Sequence, residues 1–585
     1  MYGYRIVRVV GSFLGALVLL GLLFLLLSIQ GTLLAASQAS IVVDTLDDEL
    51  NIDGDCSLRE AIQAASTDAP VDACPAGSTI TDTITFSSGG TILLTDPLLV
   101  FPSDPLVIDG GETIILSGNS RVRIFAIYVG ADLTLRNLSL VDGFNGALGG
   151  GIYNFGSLSI ENSTLSGNHA DGDGGAIHNS GTLRIKDSTF SDNLASYPGY
   201  YECNGDGGGI YNSAGSVLNV SNSQFLRNVA GNQGGGIHNA GVADVRGSSF
   251  SGAHASTAAG ISTGITNTAV LYLSDSVIYD NHAVWCSGPD FAGVGAGIVA
   301  WGGTMTISNT TISANYADGE AGGIFGFPAW MYTLTATVTH STLYGNSSPV
   351  NLEGSNVYLR NSSSFIFRNS IIASDNGADN CYVEIGYSII IDGGYNNEDG
   401  HTCGFSPANG SMPDTDPMLG SLQDNGGPTL THALLPGSPA IDGANPDPAY
   451  CPPADQRGIA RPIDGDGNGE ATCDIGSFES RQPTMTTITS DQPDPSRVGA
   501  PFTTTFSVTT TNGRPSGLVI VDSGKGTCSG ELLAGNGSCQ MTLTGSGTYT
   551  LTATYSGDGV YEISHATEIH VVTASRMYLP LINKP

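Results

Sequence analysis

The sequence predicts an all-β protein: a right-handed parallel β-helix with a short N-terminal capping helix, followed by a C-terminal immunoglobulin-like β-sandwich. Three observations predict it. A six-residue word recurs seven times: GGGIYN at 149–154, GGAIHN at 174–179, GGGIYN at 207–212, GGGIHN at 234–239, AAGIST at 258–263, GAGIVA at 295–300 and AGGIFG at 321–326. Its starts lie 25, 33, 27, 24, 37 and 26 residues apart, a period that marks a solenoid. A second word of the form Phe-x-x-Asn alternates with it, as in Leu165-Ser-Gly-Asn168, Phe190-Ser-Asp-Asn193, Phe225-Leu-Arg-Asn228, Ile278-Tyr-Asp-Asn281 and Ile312-Ser-Ala-Asn315. Each unit also carries a period-two apolar run such as Leu158-Ser-Ile160 or Leu183-Arg-Ile185, the signature of a half-buried strand.

A unit of this length has no helix to cover its sheet. It buries its apolar face by coiling, each turn lying about 4.8 Å above the last. The isoleucines then form one inward column. The glycines before them serve corners that need positive φ or close backbone approach. The asparagines suit an amide ladder, because each side chain both donates and accepts. Position 253 departs, with Ala253 where Asn is expected. The right hand follows from the general rule for parallel crossovers. The GGxI and FxxN pairing resembles the repeats of bacterial polymorphic outer membrane proteins, which implies a surface-exposed, adhesin-like passenger domain.

Composition narrows the function classes. Twenty Lys plus Arg against 54 Asp plus Glu leave a net charge of −34, which excludes nucleic acid and anionic membrane surfaces as partners. Ten cysteines and 80 glycines in 585 residues fit an extracellular, oxidising compartment.

In chain order, 1–39 reads as a secretory signal: Arg5 and Arg8, an apolar run from Val9 to Leu27, then Ser37-Gln-Ala39 as a small-x-small cleavage site. An uncleaved anchor is the alternative, since the run is long enough to span a bilayer. Residues 40–80 form an N-terminal cap. Ser57 followed by Glu60 is a capping box, and a helix runs from Leu58 to about Ala65. Such a helix would plug the open edge of the first coil. Cys56-Ser-Leu-Arg-Glu-Ala61 resembles the CSLREA domain of bacterial surface proteins. Cys74 is the expected partner of Cys56.

The coils occupy 81–415. Ile108-Asp-Gly-Gly111 and Leu135-Arg-Asn-Leu138 resemble early coils of the pectin-lyase-like superfamily, so a polysaccharide lyase or glycoside hydrolase enters as an alternative. The two long intervals, 174–207 and 258–295, place their extra residues just before the glycine corner, so both loops leave the same side. They hold Cys203 and Cys286, which sit three coils apart and join only if the loops bend together. They also hold Tyr197, Tyr200, Tyr201, Trp285 and Phe291. Aromatic side chains on loops of a rigid scaffold are candidate contacts for sugar rings or a protein partner. The competing reading is that these and the neighbouring Trp301, Phe327, Trp330 and Tyr332 pack into small cores under the loops.

Cys381 and Cys403 are expected to close a hairpin loop. Residues 416–480 carry Asp416-Pro-Met-Leu-Gly420, Asp455-Gln-Arg-Gly458 and Cys473-Asp-Ile-Gly-Ser-Phe-Glu479, which resemble the choice-of-anchor Q domain, an extracellular module. Within it, Asp464-Gly-Asp-Gly-Asn-Gly469 places oxygen ligands at alternate positions. Asp464, Asp466 and Asn468, with Asp474 in place of a missing terminal glutamate, are the expected ligands of a structural Ca²⁺. An Asp/Gly turn is the competing reading. Cys451 and Cys473 would brace this loop. Residues 481–574 are Thr-rich and alternating, and resemble bacterial Ig-like surface modules. Cys528 and Cys539 lie close in sequence and are expected to staple a hairpin. Residues 575–585 form a tail without a sortase signal.

Catalytic signals are weak. Arg184-Ile-Lys186 echoes the RxK of polygalacturonases, yet the paired aspartates and Gly-His-Gly that should precede it are absent. Its simpler reading is a solvated strand face. His178 and His238 share one column with Tyr153 and Tyr211 and form a stripe pointing away from the core. The favoured function is therefore a secreted or cell-surface, non-catalytic, adhesin-like or glycan-binding protein. Its partner is a polysaccharide or a host or neighbouring cell surface, and it meets a membrane only through its N-terminal segment.

Overall fold

The structure, a computed structural model, describes residues 40–196, 204–263, 268–284, 293–328, 332–349, 354–384 and 386–574. Residues 1–39 and 575–585, with Tyr197, Tyr200, Tyr201, Cys203, Trp285, Cys286, Phe291 and Trp330, lie outside them.

The chain is an all-β solenoid of about 11 turns, followed by an Ig-like sandwich. One turn shows the pattern. The strand Thr182–Lys186 bends into Thr189–Ser191, then Leu194–Ala195, and after the glycine corner comes Ile210–Asn212. Each strand pairs in parallel with its counterparts one turn above and below. Ile152, Ile177, Ile210, Ile237, Ile261, Ile298 and Ile324 stand in one register, each 0 % exposed. Burial of one such side chain contributes about 1.5–3 kcal/mol.

Polar files run beside the apolar one. Asn168 donates to Asn193 at 2.9 Å, and Asn193 to Asn228 at 2.9 Å. Beyond the gap at Ala253, Asn281 donates to Asn315 and Asn315 to Asn346. A second file joins Asn154, Asn179, Asn212 and Asn239 at 2.7–2.8 Å. Phe190, Phe225 and Phe250 stack face to face with ring centroids 4.9 and 4.6 Å apart. The corner needs glycine: Gly174 has φ +77° and any Cβ there would meet Ile177 O at 2.4 Å.

Helix α1 (Leu58–Thr67) closes the first turn. Ser57 accepts from Glu60 N while the Glu60 carboxylate accepts from Ser57 N, the reciprocal cap the sequence implied. Leu58, Ile62 and Ala65 are buried on its inner side. The Cys56–Cys74 disulfide ties the helix entry to the loop that follows. At the other end Phe405 packs edge-on against Phe367, and Cys381–Cys403 closes the last loop.

Residues 416–480 do not extend the coil but lie on its side. Ser313, Thr311 and Thr342 point away from the core yet are at most 2 % exposed. They meet His432 at 2.8 Å, Gln456 at 2.7 Å and Ser477 N at 3.1 Å. Gly476, at φ +92°, fits here because a Cβ would strike Ile371 and Thr342 at 2.8 Å. Inside, Arg461 and Glu479 form a fully buried ion pair at 3.1 Å. The Cys451–Cys473 disulfide spans the module.

The Ig-like module packs a three-stranded sheet (Met485–Gln492, Pro501–Thr509, Asn536–Thr542) on a five-stranded one. Phe502, Phe506, Val519, Val521, Leu551 and Tyr555 fill the space between. Cys528 and Cys539 stand on the consecutive strands Thr527–Glu531 and Asn536–Thr542, joined by a tight antiparallel turn at Leu533–Asn536, and their disulfide ties these two arms, which pair onward with different sheets.

Replacing Asn193 by Ala strands buried amide partners on both neighbouring turns. Denaturant unfolding of the solenoid should show a loss of about 2 kcal/mol.

Candidate functional site

The two long loops leave the solenoid where the repeat spacing placed them. Ser196 and Val284 precede them, and both follow strands of the seven-stranded ladder, three turns apart. That is roughly 14 Å along the axis. The proposed contact residues Tyr197, Tyr200, Tyr201, Trp285 and Phe291 lie outside the described residues. The structure instead defines the ground on which the first loop stands.

Two side-chain columns meet there across three turns. The first holds Asp173, Asp206 and Gln233, each one residue before a glycine corner. The second holds His178, Tyr211 and His238, each one residue after the inward isoleucine. Asp173 accepts from Asp206 N at 3.0 Å. Asp206 accepts from Asn232 Nδ2 at 2.8 Å and Gln233 N at 3.0 Å. Its other oxygen stands 3.9 Å from His238 Nδ1. His238 Nδ1 also lies 2.8 Å from Ser262 Oγ, and His178 Nε2 lies 3.1 Å from Ser213 Oγ.

The histidines point away from the core but are not a surface stripe, since each is only 5 % exposed. Rings cover their faces. His178 stacks on Tyr211 at 4.8 Å, Tyr211 stacks on His238 at 4.9 Å, and Tyr153 meets His178 edge-on at 5.0 Å. Burial governs the electrostatics. It pushes Asp206 up to about 6 and holds His178 and His238 down to about 4. Tyr211 rises to about 12, through burial first and then the charges of Asp173 and Asp206. Near neutral pH the arrangement holds a carboxylate and neutral imidazoles within a few ångströms of one another, bonded to each other's turns beneath the covering rings.

Other sequence-derived sites fall out differently. Arg184 and Lys186 are exposed on their strand, as a solvated face requires. Trp301 packs with Val299, Phe325 and Tyr358, with Phe327 and Tyr382 against them, in a small core outside the main one. Asp464 and Asp466 do converge, but their third partner is Asp442, with one oxygen of each within 4.8 Å of the others. Asn468 turns back, its Nδ2 3.0 Å from Asp466 Oδ2. Asp474 is not in that group: it is fully buried, and its carboxylate is taken up by the backbone N–H groups of Asp442 at 2.7 Å and of Ser480. Its carboxyl is raised by burial and by the charge of Glu479. Sequence spacing missed Asp442 because it lies 22 residues before Asp464 on another segment.

The fold and this site define a class: a β-solenoid with modular additions, presenting loops from one corner. Comparison with known families agrees at two places. Residues 162–180 and 187–213 match the Chlamydia polymorphic membrane protein repeat, and residues 488–574 match the bacterial Ig-like domain (group 3). No curated protein and no solved structure matches the chain.

The pKa directions give a pH test. His178 and His238 are neutral in the fold but charge in the unfolded chain below about 6.5, so stability falls as pH drops from 6.5 towards 4. Asp206 opposes this. Its raised value makes the folded state the better proton binder, which adds stability as pH falls through about 6. Asp206→Asn should therefore steepen the loss of melting temperature between pH 6 and pH 4. Parallel profiles for the variant and the wild type would contradict the assignment.

Proposed function

We propose that this chain is a secreted or cell-surface bacterial protein whose solenoid presents corner loops for adhesion, by binding a polysaccharide or a host or neighbouring cell surface. One observation carries the reading. Both long loops, which carry Tyr197, Tyr200, Tyr201, Trp285 and Phe291, leave the rigid solenoid from the same corner. The matches to a polymorphic membrane protein repeat and to a bacterial Ig-like domain support the surface location. The charge of −34 favours neutral or cationic glycans over polyuronates.

Retention on a panel of immobilised glycans tests it. Replacing Tyr200, Tyr201 and Trp285 together by Ala should abolish retention, and undiminished retention rejects the loops as the site. A hydrolase or lyase reading draws on Asp173 and Asp206, stacked on adjacent turns with their carboxyls raised by burial. Depolymerisation of the same panel, lost in Asp206→Asn, would favour it over adhesion.

The calcium reading of the sequence enters the same proposal, with Asp442, Asp464 and Asp466 as its ligands. Asp442 is raised by burial first and then by the charges of Asp466 and Asp464, repulsion that a cation relieves. Asp464 Oδ1 is buried without a hydrogen-bond partner. Calorimetric titration with calcium should give one saturable site that Asp464→Asn removes.

A further inference from the structure

We infer that Asp491, Asp494 and His570 form a binding site for a zinc-class divalent cation, which staples the start of the Ig-like module to its last strand. Asp491 ends the strand Met485–Gln492, Asp494 follows it, and His570 sits on Ser564–Thr573. One ligand atom from each lies within 4.8 Å of the other two. His570 Nδ1 is 2.8 Å from Asp491 Oδ2 and 3.7 Å from Asp494 Oδ1. Tetrahedral zinc at its usual bond lengths separates such ligands by about 3.3 Å. The two distances straddle that value, so an ion enters with small side-chain shifts.

The imidazole is already fixed as a ligand requires. His570 is 0 % exposed, and its ring lies flat on Phe502 with centroids 3.7 Å apart. Its second nitrogen, Nε2, is 2.8 Å from Ser496 Oγ, the kind of outer partner that sets a metal-bound tautomer. The proton count closes. In the metal-free fold Nδ1–H donates to Asp491. On binding, the lone pair of Nδ1 meets the metal, the ring proton resides on Nε2 and donates to Ser496 Oγ, and both carboxylates stay ionised. Asp494 is held by the Val571 N–H at 2.9 Å. Its side chain is 28 % exposed, which leaves an entry path and room for water as fourth ligand.

The ligand set chooses the cation. One imidazole nitrogen and two carboxylates suit zinc, whereas calcium takes six to eight oxygens and magnesium keeps most of its water. Asp491 and His570 are 79 residues apart in sequence. A metal joining them closes almost the whole module into one loop, and closure of long loops restricts the unfolded chain most. The inference is independent of the adhesive reading.

Full-length protein stripped with a chelator and titrated with zinc chloride tests it. Wild type should bind a zinc that Asp494→Asn loses or holds at least roughly tenfold more weakly. Asp464→Asn, in the other cluster, should keep it. Zinc should raise the melting temperature of the Ig-like module in wild type but not in Asp494→Asn, and magnesium should leave both unchanged. Asp494→Asn retains the oxygen that accepts from Val571 N, and its metal-free melting curve checks that it folds. X-ray absorption at the zinc edge should show an imidazole nitrogen in the shell. Undiminished zinc binding in Asp494→Asn, a wild-type melting temperature indifferent to zinc, or an all-oxygen shell overturns the assignment.

Discussion

Parallel strands spaced about 4.8 Å apart govern everything else in this molecule. Once turns lie directly over one another, every position becomes a column, and a column tolerates only side chains that can stack on copies of themselves. Isoleucine meets that demand by dispersion and exclusion of water. Asparagine meets it by donating upward and accepting from below, and phenylalanine by face-to-face packing at 4.6–4.9 Å. Ala253 shows the constraint by its breach. The amide file stops at Asn228, and Asn281 resumes it by accepting from the backbone N–H of Ala253 at 3.1 Å.

A stacked file also concentrates charge. Burial raises both aspartates of adjacent turns, the charge of Asp206 raises Asp173 further, and histidines in the next file are held neutral by the same dryness. The scaffold thus perturbs the titratable groups that stand in these buried columns. That is why the ground under the first loop differs chemically from the exposed strand face carrying Arg184 and Lys186. The side-docked module uses a different solution. It buries Arg461 against Glu479, and Asp455 against Arg457 at 2.7 Å, and satisfies the remaining oxygens with backbone N–H groups. Such pairs hold orientation more than they add stability.

What was legible in the sequence follows from this geometry. Anything that repeats once per turn could be read: the isoleucine file, the asparagine file, the glycine corners and the exit side of both long loops. The capping helix was legible because Ser57 and Glu60 satisfy each other locally. Contacts between segments that do not repeat were not legible. Asp442 reaches Asp464 across another segment, and Asp474 was misplaced because loop spacing says nothing about which way a buried carboxylate turns. The outward histidines were read as a surface stripe because strand alternation separates core from non-core, not covered from uncovered. Cys528 and Cys539 were legible as arms of one tight turn, but sequence separation did not show that the arms pair with different sheets.

The Ig-like module is where the stacking constraint ends, and with it the protection that stacking gives. In the solenoid each turn is held by two neighbours, so no single contact secures the end of the chain. In the sandwich the first strand, Met485–Gln492, is an edge element, and the last, Ser564–Thr573, is covered on one side only by the two-residue strand Ser496–Arg497. Here the buried His570, paired with Asp491 and Ser496, joins both ends of the module around Phe502. A polar group is costly in such a core unless its partners are complete. Its place between the start and the finish of the module therefore reads as a fastening, and a cation bridging Asp491, Asp494 and His570 would convert a hydrogen bond into a coordinate one at that position.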